Sequence, residues 1–256
     1  MGFLDVYKQL LVKDVFRVRE VYRYTNNNKQ VASNMVQFLL KKNFINRIGH
    51  GLYYTIPLEI SKKEREPNPY ILSSKLSKKC FLSYYTALEI HGFAQSVSNT
   101  IYISVSLQKA SFTFKSYKYL FIKNTKSFGV INKKMNDTVV YYTDVERTFI
   151  DCLNTLKYCI SLEVFLKSFD NVKINFHTIE KYLNIVNKKV LYQKAGYVLT
   201  LMKTDLGVPE ELLKRLKKKV SKRTYYLESK MKGANKKNSD WNLMVPRNIE
   251  ELIKVA

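Results

Sequence analysis

Residues 29–56, KQVASNMVQFLLKKNFINRIGHGLYYTI, constrain this chain more than any other stretch. Val31, Met35, Phe38 and Leu39 recur at the spacing of one helical stripe, which predicts an amphipathic helix with those four side chains buried. Gln30, Ser33, Asn34, Gln37 and Lys41 fall on the opposite stripe. An ordinary solvated helix face mixes Glu with Lys. This one offers amides, a hydroxyl and a single lysine, groups suited to base edges and phosphates in a major groove. A hairpin follows directly, pairing Phe44–Ile48 with Leu52–Ile56 around Gly49-His50-Gly51.

The residues before this stretch supply two more helices. Phe3, Val6, Tyr7, Leu10 and Leu11 define one over residues 3–13. Asp14 is the expected N-cap of a second, running to about Tyr24 and burying Val15, Val18, Val21 and Tyr22. Asn26-Asn27-Asn28 reads as a turn, with Asn28 capping the next helix. Helix, helix and two-stranded wing predict a winged helix-turn-helix over residues 1–60. In that arrangement Lys29, Gln30, Ser33 and Asn34 sit at the start of the recognition helix, where base edges are reached. Gln37 and Lys41 approach the backbone, and Arg47 and His50 meet phosphate or the minor groove. Arg17, Arg19 and Arg23 on the second helix are further phosphate candidates. The plainer reading of the same polar stripe is a solvated surface.

SKKEREPNP, Ser61–Pro69, has the composition of a linker. The region from residue 70 to 256 mixes helix and strand. Ser83 is the expected cap of a helix closed by Gly92 after His91. Ile101–Leu107, Ser111–Phe114, Tyr119–Lys123 and Thr138–Tyr142 alternate as strands do. Thr143 and Glu146 have the spacing of a capping box that starts a helix to about Tyr158. Helices are then expected over 161–169, 176–187, 189–203 and 208–220. Tyr225–Glu228 and Trp241–Val245 read as short strands, Gly233–Ser239 as a mobile loop, and Asn248 as the cap of a last helix. The fold class is therefore α+β.

The formal charge is +23, rising along the chain from +5 over residues 1–60 to +7 over 61–180 and +11 over 181–256. Such a surface attracts polyanions. No apolar run is long enough to cross a bilayer, and the first helix lacks the basic start and cleavage site of a signal peptide. Nucleic acid is the expected partner, without membrane association, and the expected compartment is the cytoplasm. Cys80, Cys152 and Cys159 have no zinc-site spacing and read as reduced thiols. No metal and no cofactor are expected: HxxxH, CxxC, GxxxxGK[ST] and GxSxG are all absent. Glu146, Arg147 and Asp151 suggest catalysis, but the capping box accounts for Glu146 and an i,i+4 pair accounts for the other two. Lys214, Arg215, Lys217, Lys218, Lys219, Lys222 and Arg223 form a second basic patch at a helix end, with Leu212, Leu213, Leu216 and Val220 on its buried side. It reads equally as a solubilising surface or as a docking face for phosphate, RNA or an acidic protein.

Several segments resemble, in order, the AbiEi-type antitoxins, the regulator half of a bicistronic toxin–antitoxin or abortive-infection pair. They are the hairpin NRIGHGLY (Asn46–Tyr53), LSYYTALEIHG (Leu82–Gly92), ERTFIDCL (Glu146–Leu153), AGYVL (Ala195–Leu199) and the final YYLE and WNLMVP stretches (Tyr225–Glu228, Trp241–Pro246). The resemblance implies an N-terminal winged helix-turn-helix and an antitoxin domain over 70–256. It implies repression by binding inverted repeats at the chain's own promoter, as a monomer or weak dimer that is cooperative on DNA. It also implies neutralisation of a cognate nucleotidyltransferase-like toxin, often without a stable complex. Where the family commonly has a basic wing residue, this chain has His50, whose charge depends on pH. Two other readings compete: a DNA-guided nuclease or modifying enzyme, and a module that holds the toxin or RNA through the basic C-terminal helix.

Overall fold

Val6, Tyr7 and Leu10 bury one side of the first helix, α1 (Phe3–Lys13), in the computed structural model, which describes residues 2–60, 63–228 and 234–249. Asp14 ends α1 with φ of 63°, donating its N–H to the Leu10 and Leu11 carbonyls. It does not cap a second helix. Its buried carboxylate instead accepts from the Arg65 guanidinium and from the Asn68 N–H at 2.7 Å, so it is not available for a cap. Val15–Arg17 is a short strand (β1), and its fully buried Val15 and Phe16 suit one. The second helix is only α2 (Val18–Val21), tightening to a 3₁₀ turn at Tyr22–Tyr24.

Asn28 caps α3 (Lys29–Lys41), its side-chain oxygen accepting from the Val31 N–H at 3.1 Å. The buried stripe of α3 is Ala32, Val36 and Leu39, about one residue round from the expected one. Val31 is 46% exposed, and Phe38, 38% exposed, lies edge-on to Phe3 at the rim. Ala32 is the side chain that lets α3 approach the core closely, and a periodicity count gives it little weight beside Phe38. Strands β2 (Ile45–Gly49) and β3 (Leu52–Thr55) form the expected hairpin, with a bulge between Arg47 and Gly49. β1 completes an antiparallel sheet in the order β1-β3-β2. Gly51 turns the tip at φ of 65°, and its carbonyl accepts from the Val18 N–H that opens α2.

Pro69–Leu76 forms a further helix, α4, capped by Asn68 with Pro69 in its first turn. Strand β4 (Cys80–Leu82) follows. Ser61–Pro69 reads as a linker by composition; Ser61 and Lys62 lie outside the described residues, whereas Arg65, Glu66 and Asn68 are all hydrogen-bonded. After α5 (Tyr85–His91) come β5 (Thr100–Val105), β6 (Phe112–Phe114), β7 (Tyr117–Lys123), β8 (Val130–Met135) and β9 (Thr138–Thr143). With β4 they make a six-stranded mixed sheet in the order β6-β7-β5-β4-β9-β8. β5 runs parallel to β7 and antiparallel to β4. Residues 1–82, 99–125 and 131–142 form one compact unit, which holds both sheets described so far.

The second unit comprises residues 83–98, 126–130 and 143–256. Tyr84, not Ser83, is the N-cap residue of α5, with φ of 55°, and Gly92 closes that helix in the left-handed conformation. Asp144 caps α6 (Val145–Asn154), its carboxylate accepting from the Arg147 N–H at 2.7 Å. The expected capping box is thus one residue out of register: Glu146 accepts from the Asn175 N–H, and the hydroxyls of Thr143 and Thr148 bond each other. α6 stops at Asn154, and a 3₁₀ turn covers Leu156–Tyr158. Helices α7 (Leu162–Ser168), α8 (Phe176–Val186), α9 (Lys189–Leu201), α10 (Lys203–Leu206) and α11 (Glu210–Lys217) follow close to expectation. A last sheet holds β10 (Tyr225–Tyr226), β11 (Asn235–Asn238) and β12 (Leu243–Pro246) in the order β10-β12-β11. Asn235–Asn238 is therefore paired strand rather than mobile loop; Gly233 and the helix expected after Asn248 lie outside the described residues.

Candidate nucleic-acid interface

α3 owes its outward face to the core on its other side. Ala32, Val36 and Leu39 join Val6, Tyr7, Leu10, Phe16 and Ile45 in one buried cluster, which fixes the helix rotation. Lys29, Gln30, Ser33, Asn34, Gln37 and Lys41 are consequently all exposed. The Gln30 amide donates to the Asn34 side-chain oxygen at 3.0 Å, so the two amides orient each other one turn apart. That pairing leaves the Gln30 oxygen and the Asn34 amide hydrogens facing solvent, an acceptor and donors of the kind adenine recognition uses. Val31 and Phe38 share the exposed side, adding apolar surface that the sequence pattern places in the core.

Arg47 projects from β2 opposite Tyr53. Its guanidinium donates to the Tyr53 hydroxyl at 3.2 Å and lies 5.6 Å from the ring centroid. An exposed arginine held this way loses less rotamer freedom on meeting a phosphate. His50 is exposed at the hairpin tip. Arg17, Arg19 and Arg23 do not share the α3 face. The Arg17 guanidinium donates to the Lys75 carbonyl, and all three line a groove with Lys75 and Lys78 to which α3 and the hairpin contribute no residue.

The second basic patch is largely committed to neighbours. Arg215 forms a bidentate pair with Glu180, Lys214 pairs with Glu211, and Lys217 pairs with Asp240 while lying 5.1 Å from the Trp241 ring centroid. Lys219 bonds Asn184, and Arg223 lies over Tyr225. Lys218 and Lys222 are exposed. Arg215 lowers the Glu180 carboxyl below the usual range.

Arg147 and Asp151 are buried on α6, with Nε 2.8 Å from the carboxylate. Arg147 also donates to the Phe128 carbonyl at 3.1 Å and stacks 3.8 Å from that ring's centroid. Burial pushes the Asp151 carboxyl up to about 6, against the opposing pull of Arg147. Cys152 and Cys159 are buried free thiols, and Cys80 is half-buried. His91 bonds the Thr143 carbonyl, and His50 and His177 stand in other elements. Among the described residues, no three His, Cys, Asp or Glu side chains converge as metal ligands, and no helix is long and apolar enough to cross a membrane.

One ammonium of the second unit stands in poor company. Lys194 on α9 is 8% exposed, and the Leu153 carbonyl, at 3.5 Å, is its hydrogen-bond acceptor among the described residues. Burial pulls its amine down to about 8, with Glu228 acting the other way. Below pH 8 the folded state carries a poorly solvated charge. Between pH 8 and the ordinary lysine value the folded amine is neutral while the unfolded one is not, so stability from this group rises with pH. Lys194→Met is expected to raise the free energy of unfolding by about 2 kcal/mol at pH 7, with the gain shrinking towards pH 10. Urea titrations at the two pH values check this; an equal gain at both would remove the charge as its cause.

No protein-family model matches the chain, and no curated protein is similar to it. A crystal structure of the RV2827C protein from Mycobacterium tuberculosis is similar over 99% of this chain and 94% of that one, with a TM-score of 0.66 and 13% sequence identity. At that identity the likeness speaks to the path of the backbone alone: the chain shares its mixed α+β fold, from end to end, with that mycobacterial protein.

Proposed function

We propose that this chain is a sequence-specific DNA-binding autorepressor and the antitoxin of a toxin–antitoxin pair of the AbiEi type. In this reading residues 1–60 act as a winged helix-turn-helix, with α3 as recognition helix and the β2–β3 hairpin as wing. The observation that carries it is the outward face of α3, where Gln30, Ser33, Asn34 and Gln37 stand exposed between Lys29 and Lys41. Arg47 follows directly, oriented by Tyr53. Amide groups held on a rigid helix discriminate bases, whereas lysine and arginine contacts to phosphate supply affinity without sequence information. The neutralising activity belongs in this reading to the region from residue 70 onward, acting on a nucleotidyltransferase-like toxin.

Binding of DNA from immediately upstream of the gene, measured against unrelated DNA of equal length at physiological salt, tests the repressor half. The expected ratio of affinities is ~10³ or more. Asn34→Ala with Gln37→Ala should cut that ratio by at least tenfold, since a good base contact contributes about 1–3 kcal/mol of discrimination. Arg47→Ala should weaken binding to both DNAs alike. A ratio near one for the unaltered protein, or an unchanged ratio for the α3 variant, overturns the assignment. Co-expression with the toxin encoded beside the gene tests the other half: growth is rescued by the full chain and by the α3 variant alike.

A further inference from the structure

Seven cationic side chains and two carboxylates line an open groove of about 940 Å³ within the first unit. They come from segments far apart in sequence: the end of α1, the end of β1 with α2 and its 3₁₀ turn, the end of α4 with the turn after it, the loop after β5, and the turn before β9. Both carboxylates are already paired. Glu20 meets Lys75 at 3.0 Å, and Asp137 meets Lys13 at 2.9 Å. Five cations are left without a carboxylate among the described residues. Arg17 and Lys109 are anchored on carbonyls at the end of α4, Lys75 and Leu76 respectively. Arg19, Arg23 and Lys78 make no ion pair or hydrogen bond among the described residues. Thr138, 6% exposed, also lines the groove, and its buried hydroxyl lacks a partner among the described residues.

A groove lined by guanidinium and ammonium groups that no carboxylate neutralises suits an extended polyanion. The groove's lining holds no aromatic ring on which a base or nucleoside could stack, and its apolar side chains are only Leu76 and Val139. Phosphates, not bases, are what it can hold. The α2 helix that carries Arg19 packs on α3, which itself contributes no residue to the groove.

We propose that this groove binds the phosphate backbone of duplex DNA flanking the base pairs read by α3, extending the DNA contact from Arg17, Arg19 and Arg23 onto the six-stranded sheet. This rests on the DNA-binding reading above, but it assigns a separate task. The α3 face sets which sequence is bound. The groove sets how strongly any sequence is bound and how steeply salt weakens it.

The test uses the full chain carrying Arg23→Gln and Lys78→Gln, two residues with no partner among the described residues, so unchanged thermal melting is expected. Binding is measured across a salt series to a long duplex from upstream of the gene and to a random duplex of equal length. Removing two phosphate contacts should lower the slope of log affinity against log salt by about 2 on both duplexes, leaving the ratio between them intact. An unchanged slope overturns the proposal. So does a lost ratio with an unchanged slope, which would place these residues on the base-reading face. Inorganic tripolyphosphate competing as well as duplex, at equal phosphate concentration, would also overturn it in favour of a compact polyanion. If the unaltered protein shows no preference for upstream DNA, the repressor reading fails, while the slope on random duplex still decides the groove.

Discussion

Gly196→Ala destabilises the protein by about 3 kcal/mol or more, although the same exchange in an unobstructed helix interior stabilises by about 1 kcal/mol. Gly196 lies within α9, and a Cβ built on it would stand 2.0 Å from Cζ3 of Trp241 and 2.3 Å from two further atoms of that ring. The indole cannot give way cheaply. It is 4% exposed, and the Trp241 and Asn242 carbonyls both accept from the Gln193 amide, each at 3.0 Å, one turn before Gly196. Either the helix moves off the ring or the ring leaves its site, and overpacking and lost burial both fall in the range of a few kcal/mol. Trp241 is the chain's only tryptophan, so its fluorescence reports the displacement directly. The expected result is a red-shifted emission together with a lower urea midpoint. A variant as stable as the parent, with unshifted emission, would show that the contact is not tight.

Arg147→Met is expected to cost about 3–5 kcal/mol at pH 7, the usual penalty for orphaning one member of a buried ion pair. The lost arginine takes with it the Asp151 pairing, the bond to the Phe128 carbonyl and the stacking on that ring. The pH dependence identifies the cause. In the parent, Asp151 titrates near 6 when folded, above its unfolded value near 4. Its contribution is therefore fully present below pH 4 and is lost as the pH rises through 6. In the variant the carboxyl is pushed higher still, so protonation relieves it and the deficit shrinks at pH 5. Denaturant titrations of parent and variant at pH 5 and 7 measure the difference. Arg147→Met combined with Asp151→Leu should recover much of the loss; a deficit that is equal at both pH values would point to packing rather than charge.

The recognition-helix candidate was legible because its signals are local. Asn28 caps it, glycines turn the hairpin after it, and its amide stripe is exposed as the periodicity predicts. Its buried stripe was misread by one residue, because hydrophobicity favours Phe38 over Ala32 while close approach of a helix to a core favours the smaller side chain. Asp14 has every attribute of a helix cap, and only Arg65 and Asn68, more than fifty residues away in sequence, withdraw it from that role. The capping box at Thr143 fails similarly: Asp144 is as good a cap, and the partner that captures Glu146 lies at Asn175. Strands β4 and β8 escaped detection for different reasons. The first has three residues; the second, VINKKM, is polar and sits at a sheet edge. The basic groove was only half legible in sequence: Lys13, Arg17, Arg19 and Arg23 lie in one short stretch, whereas Lys75, Lys78 and Lys109 join them from far along the chain.

The path of the chain between its two units has a consequence for how the protein comes into being. Five peptide junctions, after residues 82, 98, 125, 130 and 142, pass from one unit to the other. The first unit cannot close until residue 142 has been made, although α3 and its hairpin are complete by residue 55. At ordinary ribosomal speeds, the intervening stretch takes on the order of 5–15 s to synthesise. No early stop codon or single proteolytic cut yields an intact first unit free of the second. A fragment that contains the whole of the first unit therefore always carries part of the second, and one that contains the whole of the second carries part of the first.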